Sequence, residues 1–350
     1  MNENKIISMA EAHKLEQELK RERLMEERAK RDARAIDKHR LESASLANLE
    51  AKKGDSHAKR LIGQLEKDAA LIRNAIPFVN PVLSAAAPLC PGGLTLMGAI
   101  SGTGKSTTAA AILHELYLQK KRSFIVSNEE TEAKILGRIA CIEAGVDFNQ
   151  YIQDKVPVNV RKMVAMEIAK IEPYVTVMDD AVAATTIESI ERVLKEVDED
   201  QSYSCIVIDF FQRITKSVKM PGIERVQALY NFKDMITDYS QHARVPVVLM
   251  TQLTPLGSDE SERNFETRIK WARGLYEAAA TAIEIIKLKG IAASTFYVAK
   301  GRFTKAEQQI NCKYENGRFI YASKSDINDL RKDAQINALN DLVNDGEVDE

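Results

Sequence analysis

The sequence lacks the features that mark secreted and zinc-binding proteins. Its 350 residues include only four cysteines, which lie far apart and form no CxxC pair: Cys90, Cys141, Cys205 and Cys312. The five histidines include no HExxH segment. Neither a disulfide framework nor a zinc site is therefore indicated.

Long apolar runs and a strong charge of one sign are also missing. No run approaches the roughly 20 apolar residues of a membrane-spanning helix, and the N-terminus has no apolar signal segment. We therefore expect a cytoplasmic protein without membrane contact. The formal net charge is -2, so contact with nucleic acid would need a local basic patch. The length allows one large core plus an appendage.

The first 75 residues differ in composition from the rest. They contain no proline and no aromatic residue, and they are rich in Glu, Lys and Arg. This predicts a charged helical arm over residues 1–55, either solvated or acting as a docking or coiled-coil arm. Residues 56–76 predict a linker helix whose stripe must pack on its own core or on a neighbouring subunit. The stripe consists of Leu61, Leu65, Ala69, Ile72 and Ile76.

Residues 77–323 alternate between short β-rich apolar runs and helical stretches. This alternation predicts an α/β fold with a mainly parallel sheet and helices on both faces. The predicted strands of this sheet are residues 94–98, 123–127, 175–178, 205–209 and 246–250, and two later runs, 296–300 and 308–314, predict a β-extension. The polar, acidic segment 324–350 predicts a helix followed by a loose tail.

The segment LTLMGAISGTGKSTTAAAILHELY reads as a strand, a glycine-rich turn and a helix. Backbone amides of such a P-loop cradle phosphate oxygens, and the positive end of the helix dipole points at them. Lys105 would pair with the β- and γ-phosphates, and the Ser106 hydroxyl would ligate Mg²⁺. The strict motif begins with glycine, where this chain has Ala99 preceded by Gly98. The predicted nucleotide contacts are Ala99, Ser101, Gly102, Thr103, Gly104, Lys105, Ser106 and Thr107.

Polar residues follow three other predicted strands. CIVIDFF contains Asp209, which would hold Mg²⁺ directly or through water. FIVSNEET contains Glu129 and Glu130, of which we favour Glu129 to polarise the attacking water, a solvated acidic turn being the alternative. VPVVLMTQL contains Gln252, whose amide could sense the γ-phosphate, or else cap a helix or be buried.

Together these segments resemble the RecA-like core of DnaB-type replicative helicases. GAISGTGKST matches the Walker A register of that family, which also has alanine at the first position. SNEE, VIDFFQRI and VPVVLMTQL are similar to its later motifs in the same order, and VAKGRFT matches its KxR element. The resemblance covers roughly residues 76–322. It implies ATP and Mg²⁺ as cofactors, a homohexameric ring and translocation on single-stranded DNA.

The resemblance also implies roles for residues far from the P-loop. Lys300 and Arg302 would enter the ATP site of the neighbouring subunit, as an arginine finger does, although a solvated hairpin pair is the alternative. Loops after Asp209 and after Gln252 would contact DNA phosphates, although ordinary surface loops would have the same composition. The candidate contacts there are Arg213, Lys216, Lys219, Arg263, Arg268 and Lys270.

The N-terminal region departs from the family pattern. A charged region of about 75 residues stands in place of the globular N-terminal domain, which favours a phage- or plasmid-type relative. A helicase loader or a primase is a candidate partner. Two other functions stay open: a RecA- or RadA-like recombinase, and a KaiC-like or loader-type regulatory ATPase that does not unwind DNA.

Overall fold

The computed structural model describes most of the chain from residue 56 onwards: residues 56–179, 186–200, 202–209, 231–240, 245–255, 265–269, 273–302 and 304–345. The chain divides into two compact units, residues 1–70 and 71–350. The predicted arm over residues 1–55 lies outside the described residues. So do five of the six candidate DNA contacts, namely Arg213, Lys216, Lys219, Arg263 and Lys270.

Helix α1 spans Ser56–Arg73, so residues 56–70 of the first unit are helical as predicted. The stripe along α1 is open to solvent, since Leu61 is 51% exposed and Leu65 is 67% exposed. The stripe ends before its predicted limit. Ile76 lies beyond the helix, where it is buried and forms an isolated β-bridge with Leu89.

The second unit is built on one sheet, in which the described residues form nine strands in the order β3-β2-β4-β5-β1-β6-β7-β8-β9. Strands β1 to β6 pair in parallel, and β6 to β9 pair antiparallel. The predicted parallel sheet with a β-extension is therefore confirmed. The strands are β1 Leu94–Ala99, β2 Arg122–Ser127, β3 Val175–Asp179, β4 Tyr203–Asp209, β5 Val247–Gln252, β6 Thr281–Lys287, β7 Ala293–Gly301, β8 Gln308–Glu315 and β9 Arg318–Tyr321.

Helices cover both faces of this sheet. Besides a helical stretch at residues 231–240 and a 3₁₀ turn at Glu172–Tyr174, they are α2 Pro81–Ala86, α3 Lys105–Leu118, α4 Glu132–Ala144, α5 Phe148–Ile152, α6 Val158–Ile171, α7 Ile187–Asp200, α8 Phe265–Arg268, α9 Arg273–Ala278 and α10 Lys324–Asp345. Helices α3, α4 and α6 pack on one face, and α7 and residues 231–240 pack on the other. None of the described helices has the length and apolar character needed to cross a membrane.

Strand β1 shows why the central strands are apolar along their whole length. Leu94 and Leu96 pack into the core on one face, whereas Met97 and Ala99 pack into the core on the other. A strand buried on both faces needs apolar residues at successive positions, which is the pattern of a parallel sheet. The parallel register then places the last residues of the strands at one edge, with Ala99 opposite Gln252.

Candidate nucleotide-binding site

The glycine-rich turn connects β1 to α3, which begins at Lys105. Gly102 has φ +76° and Gly104, which caps the helix, has φ +104°. Both values lie in the left-handed region, which glycine adopts without strain. The turn therefore directs the N-terminal end of α3, with its unpaired amides, at the edge of the sheet where phosphate oxygens would bind.

The alanine at the start of the motif is explained by packing. A Cβ atom at Gly98 would lie 2.7 Å from the Phe265 ring, so glycine is required one position earlier than in the strict motif. Ala99 is fully buried at the end of β1 and does not line the cavity beside the turn, whose lining begins at Ser101. The prediction that Ala99 contacts nucleotide is therefore not supported, because its side chain belongs to the core.

Asp209 lies at the end of β4 beside the turn. The Ser106 hydroxyl donates a hydrogen bond of 3.0 Å to its Oδ2 atom. Burial raises the pKa of Asp209 to about 6, an effect that the Ser106 hydrogen bond opposes and the negative charge of Glu129 reinforces. Its second oxygen, Oδ1, is buried and accepts no hydrogen bond from the described residues.

These two side chains fit a magnesium ion that is shared with nucleotide. Mg²⁺ takes oxygen ligands, and it is usually held by one or two protein groups together with phosphates and water. Asp209 and Ser106 offer a carboxylate and a hydroxyl in contact, with one carboxylate oxygen still able to accept. Within the described ranges, no group of three or more His, Cys, Asp and Glu side chains forms a metal site. The protein ligands seen here therefore suit Mg²⁺ carried by a nucleotide.

The two glutamates after β2 have different surroundings. Glu130 forms an ion pair with Arg138 of α4, whose Nη2 lies 2.6 Å from Oε1 and whose Nε lies 2.9 Å from Oε2. Its backbone is fixed by hydrogen bonds with the Ser127 hydroxyl. Glu129 is exposed and lines the cavity that contains the P-loop. The structure thus leaves Glu129, and not Glu130, facing the space where a substrate would lie.

The cavity has a volume of about 560 Å³ and adds residues that the sequence did not assign to the site. Its far wall comes from β8 and β9, where the rings of Tyr314 and Phe319 lie 5.3 Å apart. Lys287 and Arg138 add positive charge to the lining. Aromatic faces suit a planar nucleobase. The segments YENGRF and GRIACIEAGVD contain three of these residues, but nothing in their spacing predicts that they approach the P-loop.

A family model described as the DnaB-like helicase C terminal domain matches residues 84–265, which is more than half of the chain. The chain belongs to the DnaB-like helicase family. No curated protein matches it.

Solved structures of DnaB-like helicases share this fold. The ATPase domain of a phage helicase superposes with a TM-score of 0.63 at 12% identity, covering 77% of this chain and all of that one. A DnaB-like replicative helicase, solved to show its interactions with primase, gives 0.61 at 13% identity over 84% of this chain and 77% of that one. The KaiC-like protein PH0186 of Pyrococcus horikoshii gives 0.50 at 15% identity over 71% and 99%. These matches confirm the RecA-like fold.

Gln252 of this DnaB-like core is the last residue of β5 and pairs with Ala99 of β1. It therefore lies at the same edge of the sheet as the P-loop, and its side chain is half-buried. The next residue, Leu253, donates its backbone N–H to the Ala99 carbonyl at 2.9 Å. The strand end that carries the predicted sensor is thus fastened to the strand that carries the P-loop.

Lys300 and Arg302, which match the KxR element of the DnaB-like family, lie at the opposite edge of the sheet. Lys300 pairs with Ala282, and Thr281 at the start of β6 pairs with Thr95 of β1. Four residues of β1 separate Thr95 from Ala99, which corresponds to about 13 Å. Neither cation lines the cavity of its own subunit.

Arg302 and Lys300 differ in how much freedom they have. The Arg302 side chain is exposed, and its backbone N–H donates to Ala280 at 2.7 Å. Lys300 donates from Nζ to the carbonyls of Tyr276 and Glu277 at 2.7 and 2.9 Å, which caps the end of α9. Burial lowers the pKa of Lys300, and the positive charge of Arg302 acts in the same direction. Arg302 is therefore the freer of the two cations.

Arg268 requires a correction. The sequence placed it among the DNA contacts, but its side chain is only 2% exposed and forms an ion pair with Glu284 of β6, Nη1 to Oε1, at 2.7 Å. A guanidinium held in the core by a carboxylate cannot contact a DNA backbone in this arrangement. The error arose because the partner lies 16 positions further along the chain, on a strand whose other inward residues are apolar.

Proposed function

We propose that this DnaB-like protein is an ATP-driven DNA helicase that forms a homohexameric ring and translocates on single-stranded DNA during replication. The observation that carries the proposal is the Ser106–Asp209 contact at the carboxyl edge of a RecA-like sheet. This pair gives a triphosphate-bound Mg²⁺ its protein ligands in a chain of a helicase family. A phage- or plasmid-type relative of the bacterial enzymes is the source that we favour.

The side chains around the P-loop divide the chemistry among them. Lys105 pairs with the β- and γ-phosphates, whereas Ser106 and Asp209 hold Mg²⁺. Mg²⁺ neutralises charge on the transferred phosphoryl group when it is bound. Glu129 orients and polarises the attacking water, since Glu130 is paired with Arg138. Gln252 responds to the γ-phosphate, and Tyr314 and Phe319 contact the nucleobase.

Arg302 completes the site of a neighbouring subunit. The position of Arg302 at the edge opposite the P-loop supports this, because its own triphosphate site lies too far away along β1. Its exposed guanidinium can stabilise negative charge on the phosphoryl group across a subunit interface. Lys300 reaches the same interface only by releasing the carbonyls at the end of α9, so its contribution is secondary.

The DNA contacts are expected in the connections after β4 and β5. We keep Arg213, Lys216, Lys219, Arg263 and Lys270 as candidates, and we omit Arg268 because it is buried. These side chains would contact phosphates without reading the sequence of bases. A helicase that moves along any strand needs contacts of this kind.

Replacing Lys216 and Lys219 by alanine should weaken single-strand binding and flatten its dependence on salt. Each lost phosphate contact removes about 0.7 from the slope of log K against log salt. Fluorescence anisotropy with labelled oligonucleotides over a series of salt concentrations measures the slope. The matched control is the loss of Lys162 and Lys170, which are exposed on α6. If the two double variants give the same slope as the wild type, Lys216 and Lys219 do not face DNA.

The solvent-exposed stripe of α1 is expected to pack on an adjacent subunit of the ring. Deleting residues 1–55 should therefore leave rings intact, whereas deleting residues 1–76 removes Leu61, Leu65 and Ile72 and should disperse them. Sedimentation of both truncated proteins with ATP gives the oligomeric state. Monomers from the shorter deletion, or rings from the longer one, would contradict this arrangement.

Two other functions make different assemblies or activities. A RecA- or RadA-like recombinase would form filaments on DNA, whereas a KaiC-like or loader-type ATPase would hydrolyse ATP without separating strands. Negative-stain images with ATP and single-stranded DNA distinguish closed rings from filaments. The solved DnaB-like helicase that was studied with primase makes primase, alongside a helicase loader, the partner to test.

A further inference from the structure

The connection between β5 and β6 is fastened at its base by a set of contacts that the nucleotide site does not use. Leu253 and Ile269 form an antiparallel bridge. Thr254 donates both its N–H and its hydroxyl to the Arg268 carbonyl at 3.0 Å, and Arg268 Nε returns a bond of 3.0 Å to the Thr254 carbonyl. The chain that leaves after Gln252 and the chain that returns before β6 are therefore held side by side.

The Arg268–Glu284 ion pair fastens this base to the centre of the sheet. Glu284 is 3% exposed and lies opposite Gly98 of β1. The Phe265 ring from the same returning segment packs directly on Gly98, where a Cβ atom would collide with it. The base of the connection thus contacts β1 immediately before the P-loop, and β5 immediately after Gln252.

Stability alone does not explain a charged pair at this place. A buried ion pair is often no more stabilising than well-packed apolar residues of similar volume, because both charges lose their hydration. Here Arg268 Nη2 and Glu284 Oε2 are also buried without a hydrogen-bond partner among the described residues. What the guanidinium does offer is direction, since one planar group binds the Thr254 carbonyl and the Glu284 carboxylate together.

We propose that Arg268 and Glu284 position the connection between β5 and β6 so that DNA bound there and nucleotide bound at the P-loop affect each other. The inference rests on the proposed function, in which Gln252 responds to the γ-phosphate and this connection faces DNA. A shift at the end of β5 moves Thr254, and Thr254 is bonded to Arg268. Arg268 and Glu284 are positioning residues, since neither lines the cavity.

The test compares single and double replacements in the full chain. Arg268→Met alone leaves the Glu284 carboxylate buried and unpaired, so this variant is expected to be poorly folded. The double variant Arg268→Met, Glu284→Leu removes both charges at similar volume and should melt within a few degrees of the wild type. Val164→Ala, in the core beneath α6, is a matched control that lowers stability without touching the connection.

The readout is the ratio of ATP turnover with single-stranded DNA to turnover without it. A variant that merely lowers the folded fraction reduces both rates equally and leaves the ratio unchanged, as Val164→Ala should. The double variant should keep its basal turnover while the ratio falls towards unity. A folded double variant with the wild-type ratio would overturn the inference and leave the helicase proposal intact. Wild-type turnover that does not respond to single-stranded DNA would overturn the proposed function and the inference with it.

Discussion

Replacing Glu129 by glutamine is expected to reduce ATP turnover by about 10²- to 10⁴-fold while nucleotide still binds. The amide keeps the size of the side chain but cannot accept a proton from the attacking water. Lys105→Ala should abolish turnover as well, but by removing a charge that holds the phosphates. Steady-state phosphate release and the affinity for a fluorescent ATP analogue separate the two defects.

Glu130→Gln is the matched control for Glu129→Gln. Glu130 is one position away and has the same chemistry, but its carboxylate is held by Arg138 on α4. Its replacement should loosen that ion pair and reduce turnover less than the change at Glu129. Wild-type turnover by Glu129→Gln would remove it from the mechanism and direct attention to Glu130.

Loss of Arg302 should reduce turnover by about 10³- to 10⁵-fold, the usual contribution of an arginine finger. Isolated nucleotide binding to the P-loop should remain, because Arg302 lies at the far edge of the sheet from its own site. Lys305→Ala is the matched control, since Lys305 is an exposed cation three residues further along. It should hydrolyse ATP at the wild-type rate.

Mixing variants tests whether Arg302 acts on the neighbouring subunit. Lys105→Ala subunits have an intact finger, and Arg302→Ala subunits have an intact P-loop. In mixed rings some interfaces combine the two intact halves, so part of the ATPase activity should return. If Arg302 acted within its own subunit, every subunit would carry a defect and no activity would return. Native mass spectrometry shows whether mixed rings have formed.

The sequence was sufficient to predict the sheet and the edge at which the site lies. Short apolar runs between helical segments specify parallel strands, and the carboxyl ends of parallel strands meet at one edge. The P-loop, Asp209 and Gln252 could therefore be placed together before any contact was known. Their local signals are strong because the chemistry requires a particular residue directly after a strand.

What the sequence could not provide depends on partners that are distant along the chain. The preference for Glu129 becomes firm only when Arg138 is seen to hold Glu130. The burial of Arg268 follows from a glutamate on β6, and no periodicity shows that a basic residue in a loop will turn inwards. Tyr314 reaches the cavity only because β8 is added to the sheet through antiparallel pairs.

Unwinding of a forked DNA duplex in the presence of ATP tests the central claim most directly. Two substrates are needed, one with a 5′ single-stranded tail and one with a 3′ tail, with release of a labelled strand as the measurement. We predict that the wild-type protein separates one of the two forks and that Lys105→Ala separates neither. A wild-type protein that hydrolyses ATP and binds single-stranded DNA but separates neither fork would contradict the assignment as a helicase.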